Sequence, residues 1–341
     1  RCGTRSSAPS PPTAWRGAPE RASGARGMAE HLLIPKRLAR ALPGLKRAAW
    51  WLEAAFIRGV IALLRALSPE RATALAMRVT GVLGPLLPMW DKVARNLAIA
   101  FPALPAGERA RLRRRIFAHL GAAIAELVQS ERIWAERERR LEFRADPSIR
   151  GLQEGGRPMV LVTAHVGAWQ LSNLVGAHFG LPITSLYASE SNPLIAAQVL
   201  QLRERLRVRW IPSTGGIRSL ITELRAGHSV GLACDTRLDQ GEAVPYFGHA
   251  AMTNTVPARL ALKQDCELVP VRVERLGGAR YRVTMGAPIR PRDAGAAQAA
   301  QALDMSAQLN ALFESWIRET PGEWMCLARR FPKELDKAAR G

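Results

Sequence analysis

Acidic side chains are scarce in this 341-residue chain. Twenty-nine Asp and Glu stand against 49 Lys and Arg, a formal net charge of +20. Residues 1–27 hold five Arg and one Glu, so the remainder still carries +16. The surplus favours anionic partners: nucleic acid, lipid headgroups, phosphorylated sugars or an acidic carrier protein. Cysteine is scarce too. Cys2, Cys234, Cys266 and Cys326 lie far apart and in no metal-ligand spacing, which argues against a disulfide framework or a structural zinc and for reduced thiols. With three Tyr, eight Phe, no zinc-finger spacing and no RNA-stacking signature, nucleic acid is set aside. The chain lacks a P-loop, a dinucleotide glycine fingerprint, an internal repeat and a run resembling a cleavable signal peptide.

What is present divides into three stretches. Residues 1–27, rich in Ser, Pro, Gly and Arg without apolar periodicity, read as a disordered basic tail or a non-native extension. Residues 28–135 read as helical. Within 46–66, Arg47, Arg58 and Arg65 share one helical stripe while Trp50, Leu52, Phe56, Val60, Leu63 and Leu64 cover much of the rest. Two readings stand for this stretch: an amphipathic helix in a membrane interface, or a surface helix packed on the core. Ala72–Trp90 is apolar but broken by Gly81, Gly84, Pro85 and Pro88, and is marginal as a span. The run Arg109, Arg111, Arg113, Arg114 and Arg115 follows; such a run is commonly a solvated helix face, and next to two apolar Trp-containing segments it reads as facing lipid phosphate. Nine Trp point to a membrane interface as well.

Residues 136–335 alternate strand and helix patterns. Strands are predicted at 159–164, 183–187, 208–211, 230–233, 268–273 and 281–285, and helices at 169–178, 194–206, 217–225, 255–263 and 297–317. This is an α/β domain with a mixed sheet flanked by helices. Pro270, inside a predicted strand, implies an edge strand or a bulge.

The apolar burst 159–164 ends at His165, followed by Gly167 and a helical pattern. A histidine at the carboxyl end of a strand is a candidate base; an isolated one is more often structural. His178 and His228 read as surface residues, and His249 as a loop residue. Asp235 ends another strand, with Arg237 and Asp239 behind it. That loop shapes either a polar acceptor site or an Asp–Arg pair holding a turn. Arg329 and Arg330 either grip a phosphate or belong to a basic surface.

The ordered blocks Asn-Leu-x-x-Ala-Phe-Pro (96–102), His-x-Gly-x-Trp (165–169), Asn192-Pro193, Asp-x-x-x-Asp-x-Gly (235–241), Val-Pro-Tyr-Phe-Gly (244–248), Pro-Ala-Arg-Leu-Ala-Leu (257–262), Val-Pro-Val (269–271) and Glu-Trp-x-x-x-x-Arg-Arg (323–330) resemble one family. It is the late acyltransferases of lipid A biosynthesis (lauroyl/myristoyl transferases), within the glycerolipid acyltransferase superfamily, over roughly residues 46–333. The resemblance implies a glycerolipid acyltransferase-like fold with an amino-terminal amphipathic, membrane-binding extension. It implies an enzyme at the cytoplasmic face of a bacterial inner membrane that moves a fatty acyl chain from acyl carrier protein, or from coenzyme A, to a hydroxyl of a lipid A precursor. No metal or cofactor is implied beyond the thioester co-substrate. His165 becomes the general base, with Gln170 and Asp235 as its catalytic companions. Trp169, Asn192, Arg237, Asp239, Arg259, Arg329 and Arg330 become substrate contacts.

Two departures accompany the resemblance. The family places Asp or Glu five residues after the histidine, and here that position is Gln170. Many members carry Arg before Asn-Pro, and the segment 187–193 has none. Three explanations stay open: another carboxylate, Asp235 or Glu190, replaces the missing one; the acceptor is a different lysolipid; or the protein is a catalytically impaired membrane-bound homologue.

Overall fold

A computed structural model describes residues 43–154, 156–213 and 216–338. The expectation for residues 1–27 lies outside the described residues. The chain enters through helices. α1, Pro43–Ala66, has 24 residues, about 36 Å at 1.5 Å per residue. Ser68 then caps α2, Pro69–Leu83: its hydroxyl accepts Arg71 N at 3.3 Å, and Pro69 supplies the fixed φ of a first helical position. A 3₁₀ turn at Gly84–Leu86 leads into α3, Trp90–Ala100, and α4, Ala106–Val128. Short helices α5, Ser130–Ala135, and α6, Arg137–Arg140, precede the sheet. No single described helix is long and apolar enough to cross a membrane; Pro69–Leu86 and Trp90–Ala100 pass only as a pair bent by 93°.

Seven strands form one sheet: β1 Leu141–Ala145, β2 Met159–Thr163, β3 Ile183–Tyr187, β4 Arg209–Pro212, β5 Ser229–Ala233, β8 Glu267–Gly277 and β9 Arg280–Met285, in the order β1-β9-β8-β2-β5-β3-β4. β6, Arg237–Tyr246, and β7, His249–Thr253, make a separate antiparallel hairpin. Between them lie α7 Pro147–Glu154, α8 Leu174–Phe179, α9 Pro193–Glu204, α10 Gly216–Arg225 and α11 Val256–Lys263; α12 Gln298–Glu319 and α13 Lys333–Ala338 close the chain. The sheet is mixed: β8, β2, β5, β3 and β4 are parallel, and β9 runs antiparallel to β8. All six predicted strands are present. β1 and the hairpin are additions, and His249 sits on β7 rather than in a loop.

Pro270 corrects the edge-strand expectation, because β8 is interior. The strand changes partner at this residue, pairing with β2 up to Pro270 and with β9 from Val271. Pro270 O accepts Gly286 N just past the end of β9, so the missing N–H falls where that ladder has stopped.

β2 is buried along its whole length. Val160 and Val162 face one apolar cluster, with Ala258 and Leu260 of α11; Met159 and Leu161 face another, with Leu174 and Val175 of α8. After β2 the chain therefore leaves toward one face, and after β5 toward the other. Neighbouring parallel strands whose connections part in opposite directions open a crevice at their carboxyl ends. The helical region shares both clusters, through Phe117 of α4 in the first and Leu64, Ala72 and Ala125 in the second. Among the described tryptophans, Trp316 and Trp324 are buried, Trp51 is exposed and the others are half-buried.

α2 crosses α4 closely at Gly121, where a Cβ would lie 2.3 Å from both Ala76 O and Thr80 Oγ1. Gly121→Ala gains about 1 kcal/mol of helix propensity. The backbone overlap is expected to outweigh it and leave a net loss of about 1–3 kcal/mol, read as a lower denaturant midpoint.

Candidate active site

His165 stands two residues past Thr163, and Asp235 two past Ala233. Thr163 and Ala233 are register partners in β2 and β5, and Cys234 N donates to Thr163 O at 3.0 Å. Parallel register thus carries both side chains to the same point of the crevice. His165 Nδ1 lies 2.6 Å from Asp235 Oδ1, and the same oxygen accepts His165 N at 3.0 Å. From the other side, Met325 N donates to His165 O at 2.8 Å, and Val166 bridges to Trp324. The Asp235 side chain is 3% exposed and the His165 side chain 24%, so the carboxylate is sealed while the ring reaches the opening.

Burial opposes the charged form of each group. The facing charge and the hydrogen bond outweigh it, holding the imidazole above its ordinary value and the Asp235 carboxyl below its own. An ionised Asp235 accepts Nδ1–H, which leaves the Nε2 lone pair as the basic site.

Gly167 turns the chain at φ +65°, and a Cβ there would meet Val273 O at 2.1 Å. Only glycine serves at this position. Close by lies a buried ion network. Arg275 donates to both oxygens of Glu126 at 2.7 and 2.8 Å, to Glu323 at 3.0 Å, and lies 3.3 Å from His119 Nδ1. Burial, then the charges of Arg275 and Arg115, push His119 down to about 3, so it is neutral.

The Trp169 ring packs against His165 at 4.5 Å between centroids. It also lines a narrow cleft with Leu161, Thr163, Ile183, Ser185, Trp210 and Gly231. Gly231 makes room for Ser185, its register partner: a Cβ there would meet Ser185 Oγ at 2.5 Å. Ser185 Oγ donates to Asn173 Oδ1 at 2.6 Å.

The remaining candidates separate. Gln170 does not orient the ring, whose Nδ1 is taken by Asp235; its Nε2 donates to Ala123 O at 3.3 Å. Of the two substitute carboxylates, Asp235 reaches the histidine, while Glu190 pairs with Arg203 at 3.1 Å. Arg237 holds Asp239 at 2.6 Å, and Arg329 lies 3.7 Å from the same carboxylate. Asp239 is exposed while both arginines are largely covered, and the triplet sits at the start of β6, just past Asp235.

Arg330 is not a surface cation. It is 2% exposed, donates to Met252 O and Thr253 Oγ1, and lies over the Tyr246 ring at 4.2 Å. Asn192 is buried and occupied on both ends: Oδ1 accepts Leu194 N, and Nδ2 donates to Trp50 O and Glu53 Oε2. Arg259 pairs with Glu242 and lines a second cleft, with Ile217 and Lys263, that shares no residue with the first. His178 is exposed, as expected, and stacks on Phe143 at 3.9 Å, while His228 is half-buried and binds Glu223 at 2.8 Å. No sequence signal marks Arg275 or Glu126, each one of several charges in its strand or helix. The Asp235 contact follows from strand register once the strand order is known.

A sequence profile of the family described as bacterial lipid A biosynthesis acyltransferase matches residues 39–333. The chain is 26% identical over 251 residues to the lipid A biosynthesis acyltransferase of Haemophilus influenzae, covering 71% of this chain and 77% of that one. It is 26% identical over 271 residues to the lipid A biosynthesis palmitoleoyltransferase of Escherichia coli, covering 75% and 83%. Among solved structures, the 1-acyl-sn-glycerophosphate acyltransferase of Thermotoga maritima aligns with a TM-score of 0.34 at 12% identity, over 74% of this chain and 99% of that one.

The imidazole of His165 is expected to titrate, by NMR, above the ordinary value of about 6.5. In Asp235→Asn it is expected to titrate below that value, because burial remains and the opposing charge is gone. Gln170→Glu loses its donor and aims a carboxylate at Ala123 O. It is expected to destabilise the fold by about 1–3 kcal/mol in denaturant titration and to leave the His165 titration nearly unmoved.

Proposed function

Because the chain belongs to the bacterial lipid A biosynthesis acyltransferase family, we propose that His165 is the base that transfers a fatty acyl group from a thioester to a hydroxyl of a lipid A precursor. The observation that carries this reading is the 2.6 Å contact of His165 Nδ1 with Asp235 at the mouth of the crevice. Nε2 takes the proton of the acceptor hydroxyl as its oxygen attacks the thioester carbonyl. A tetrahedral oxyanion forms, held by backbone N–H groups or arginine. It collapses with cleavage of the C–S bond, and the imidazolium returns the proton to the departing thiolate. Asp235 orients the ring and stabilises its charged form, the task that falls to a carboxylate five residues on in other members of the family.

The acyl chain enters at the slot beside Trp169, whose walls are largely apolar. Arg237 and Arg329, next to Asp235 and near the end of the chain, meet acceptor phosphate; the exposed Asp239 carboxylate they share marks the place of the anion. The donor is acyl carrier protein, whose acidic surface suits the net charge of +20, or coenzyme A. No metal or resident cofactor enters these steps.

Residues 28–135 serve as the membrane-associating region and 136–335 as the catalytic domain, at the cytoplasmic face of the inner membrane. Exposed Trp51, Leu52, Phe56 and Leu63 on α1 support that attachment, flanked by the exposed Arg47, Arg58 and Arg65. A different lysolipid acceptor is the second reading, favoured by the absence of arginine before Asn192.

His165→Ala is expected to lower transfer from an acyl carrier protein thioester to a tetra-acylated precursor by on the order of 10²–10⁴. Equal rates for the two proteins would refute the mechanism, and a panel of lysolipids separates the acceptors. A strain lacking the protein is expected to lose one acyl chain from lipid A by mass spectrometry. In the pH profile, kcat/KM is expected to rise as His165 loses its proton, through a value above about 6.5. Asp235→Asn is expected to move that limb to lower pH and to cut the rate by on the order of 10⁴.

A further inference from the structure

The Asn192-Pro193 element is part of the sequence pattern but does not touch the His165 site. Its place is the loop after β3, at the same carboxyl edge of the sheet that presents His165. Pro193 begins α9, and Asn192 caps it through Oδ1 on Leu194 N at 3.0 Å. The other end of the side chain is spent on α1: Nδ2 donates to Trp50 O at 3.0 Å and to Glu53 Oε2 at 3.1 Å. One turn and a half further along α9, Gln198 Nε2 donates to Ala54 O at 3.1 Å. α1 is thus held to the catalytic rim along a polar seam, made largely to its own backbone carbonyls.

The opposite face of α1 carries exposed Trp51, Leu52, Ala55, Phe56, Gly59, Ala62 and Leu63. The arginine stripe on one side and the buried Leu64 fix the roll of α1 only coarsely, because the rest of its exposed surface is apolar. Glu53 supplies the finer preference. Turned half a revolution, it would carry a carboxylate into the apolar phase and strip Asn192 of its partner. Buried polar contacts of this kind cost stability and select one arrangement. The loop is tied in turn to α9 by Glu190 and Arg203 at 3.1 Å, and Arg203 lies over Tyr187 at the end of β3. Leu186, one residue before, lines the slot beside Trp169.

We infer that the Asn192–Glu53 seam locks the roll of α1 to the rim of the active site, so that seating α1 on a bilayer presents the crevice to an acceptor held in that bilayer. Asn192 is a positioning residue for membrane-embedded acceptor, not a substrate contact. The inference rests on the proposed acyl transfer and on the bilayer as occupant of the exposed α1 face. The bilayer is supported by the length of α1 and by the exposed Arg47, Arg58 and Arg65 that border the apolar stripe.

The test uses the full chain and vesicles of phosphatidylethanolamine and phosphatidylglycerol. Asn192→Asp keeps an oxygen to cap α9, removes both donors and sets a like charge beside Glu53. Gln198→Ala opens the seam without touching the cap. Both variants are expected to bind vesicles as the wild type does. Both are expected to lose transfer to an acceptor embedded in vesicles by about 10- to 100-fold, through misplacement rather than lost chemistry. Transfer to the same acceptor dispersed in detergent is expected to stay near the wild-type rate.

Equal loss with both acceptors, or no loss with either, overturns the seam. Amide hydrogen exchange supplies a readout free of turnover. Adding vesicles is expected to slow exchange in α1 and in residues 188–193 of the wild type, but in α1 alone in Asn192→Asp. Unchanged exchange at 188–193 in the wild type also overturns the inference. A wild type that transfers no acyl group yet shows the exchange pattern refutes the acyltransferase reading and leaves the seam standing.

Discussion

One carboxylate oxygen organises the centre of this molecule. Asp235 Oδ1 takes both the ring Nδ1 and the backbone N–H of His165, so a single buried charge fixes the side chain and the peptide that carries it. A charge sealed to this degree is tolerable only with partners of good geometry; removing one partner of a buried pair costs about 3–5 kcal/mol. The pair is also asymmetric. Asp235 is enclosed while the imidazole reaches the crevice, which is the disposition a base needs when its orienting group must stay ionised.

The same demand for partners explains why residues remote in sequence converge here. Arg330, buried close enough to Asp235 to help hold its carboxyl low, is itself held by Met252 O, Thr253 and the Tyr246 ring. Asn96 clamps the segment around it, donating to Cys326 O and Ala328 O and accepting Arg330 N. That segment supplies Met325 N to His165 O. The block at 96–102 thus belongs to the site through packing. It secures the carboxyl-terminal strap that completes the histidine loop, without contacting any reacting atom.

Strands were legible where burial on both faces produces a continuous apolar burst, as at 159–164, and His165 was legible because such a burst stops at it. β1 was not, because Leu-Glu-Phe-Arg-Ala has the charged alternation of an edge. The hairpin was hidden by Gly241 and Pro245, which read as loop. The errors at the site share one cause. Gln170, Asn192 and Arg330 are polar residues inside motif blocks, and a polar residue in a motif reads as a ligand contact. In the fold each is spent internally: on Ala123 O, on the α1 seam, and on the β7 backbone. A linear spacing rule also fails at Gln170 because residues 169–173 wind as a 3₁₀ helix, whose three-residue turn sets side chains differently from an α-helix. The replacement for the missing carboxylate came from the neighbouring strand, and strand order is not written in local sequence.

Tryptophan content alone does not mark a membrane face. Large amphipathic rings suit interfaces, but Trp316 and Trp324 fill the core instead. On the proposed reading, attachment to lipid falls on a short set of side chains. Trp51, Leu52, Phe56 and Leu63 stand out from α1, and full burial of a side chain of this class is worth about 1.5–3 kcal/mol. Arg47, Arg58 and Arg65 add about 1 kcal/mol each near an anionic surface. Even with the rings only partly immersed, the total suffices for firm peripheral binding without any spanning helix. Binding of that strength still permits rocking, because arginines on one side of the stripe set the roll of α1 only coarsely. On the proposed reading orientation is refined from the protein side, where the polar seam to α9 adds to the packing of Leu64 and the Gln129 contact with Leu64 O.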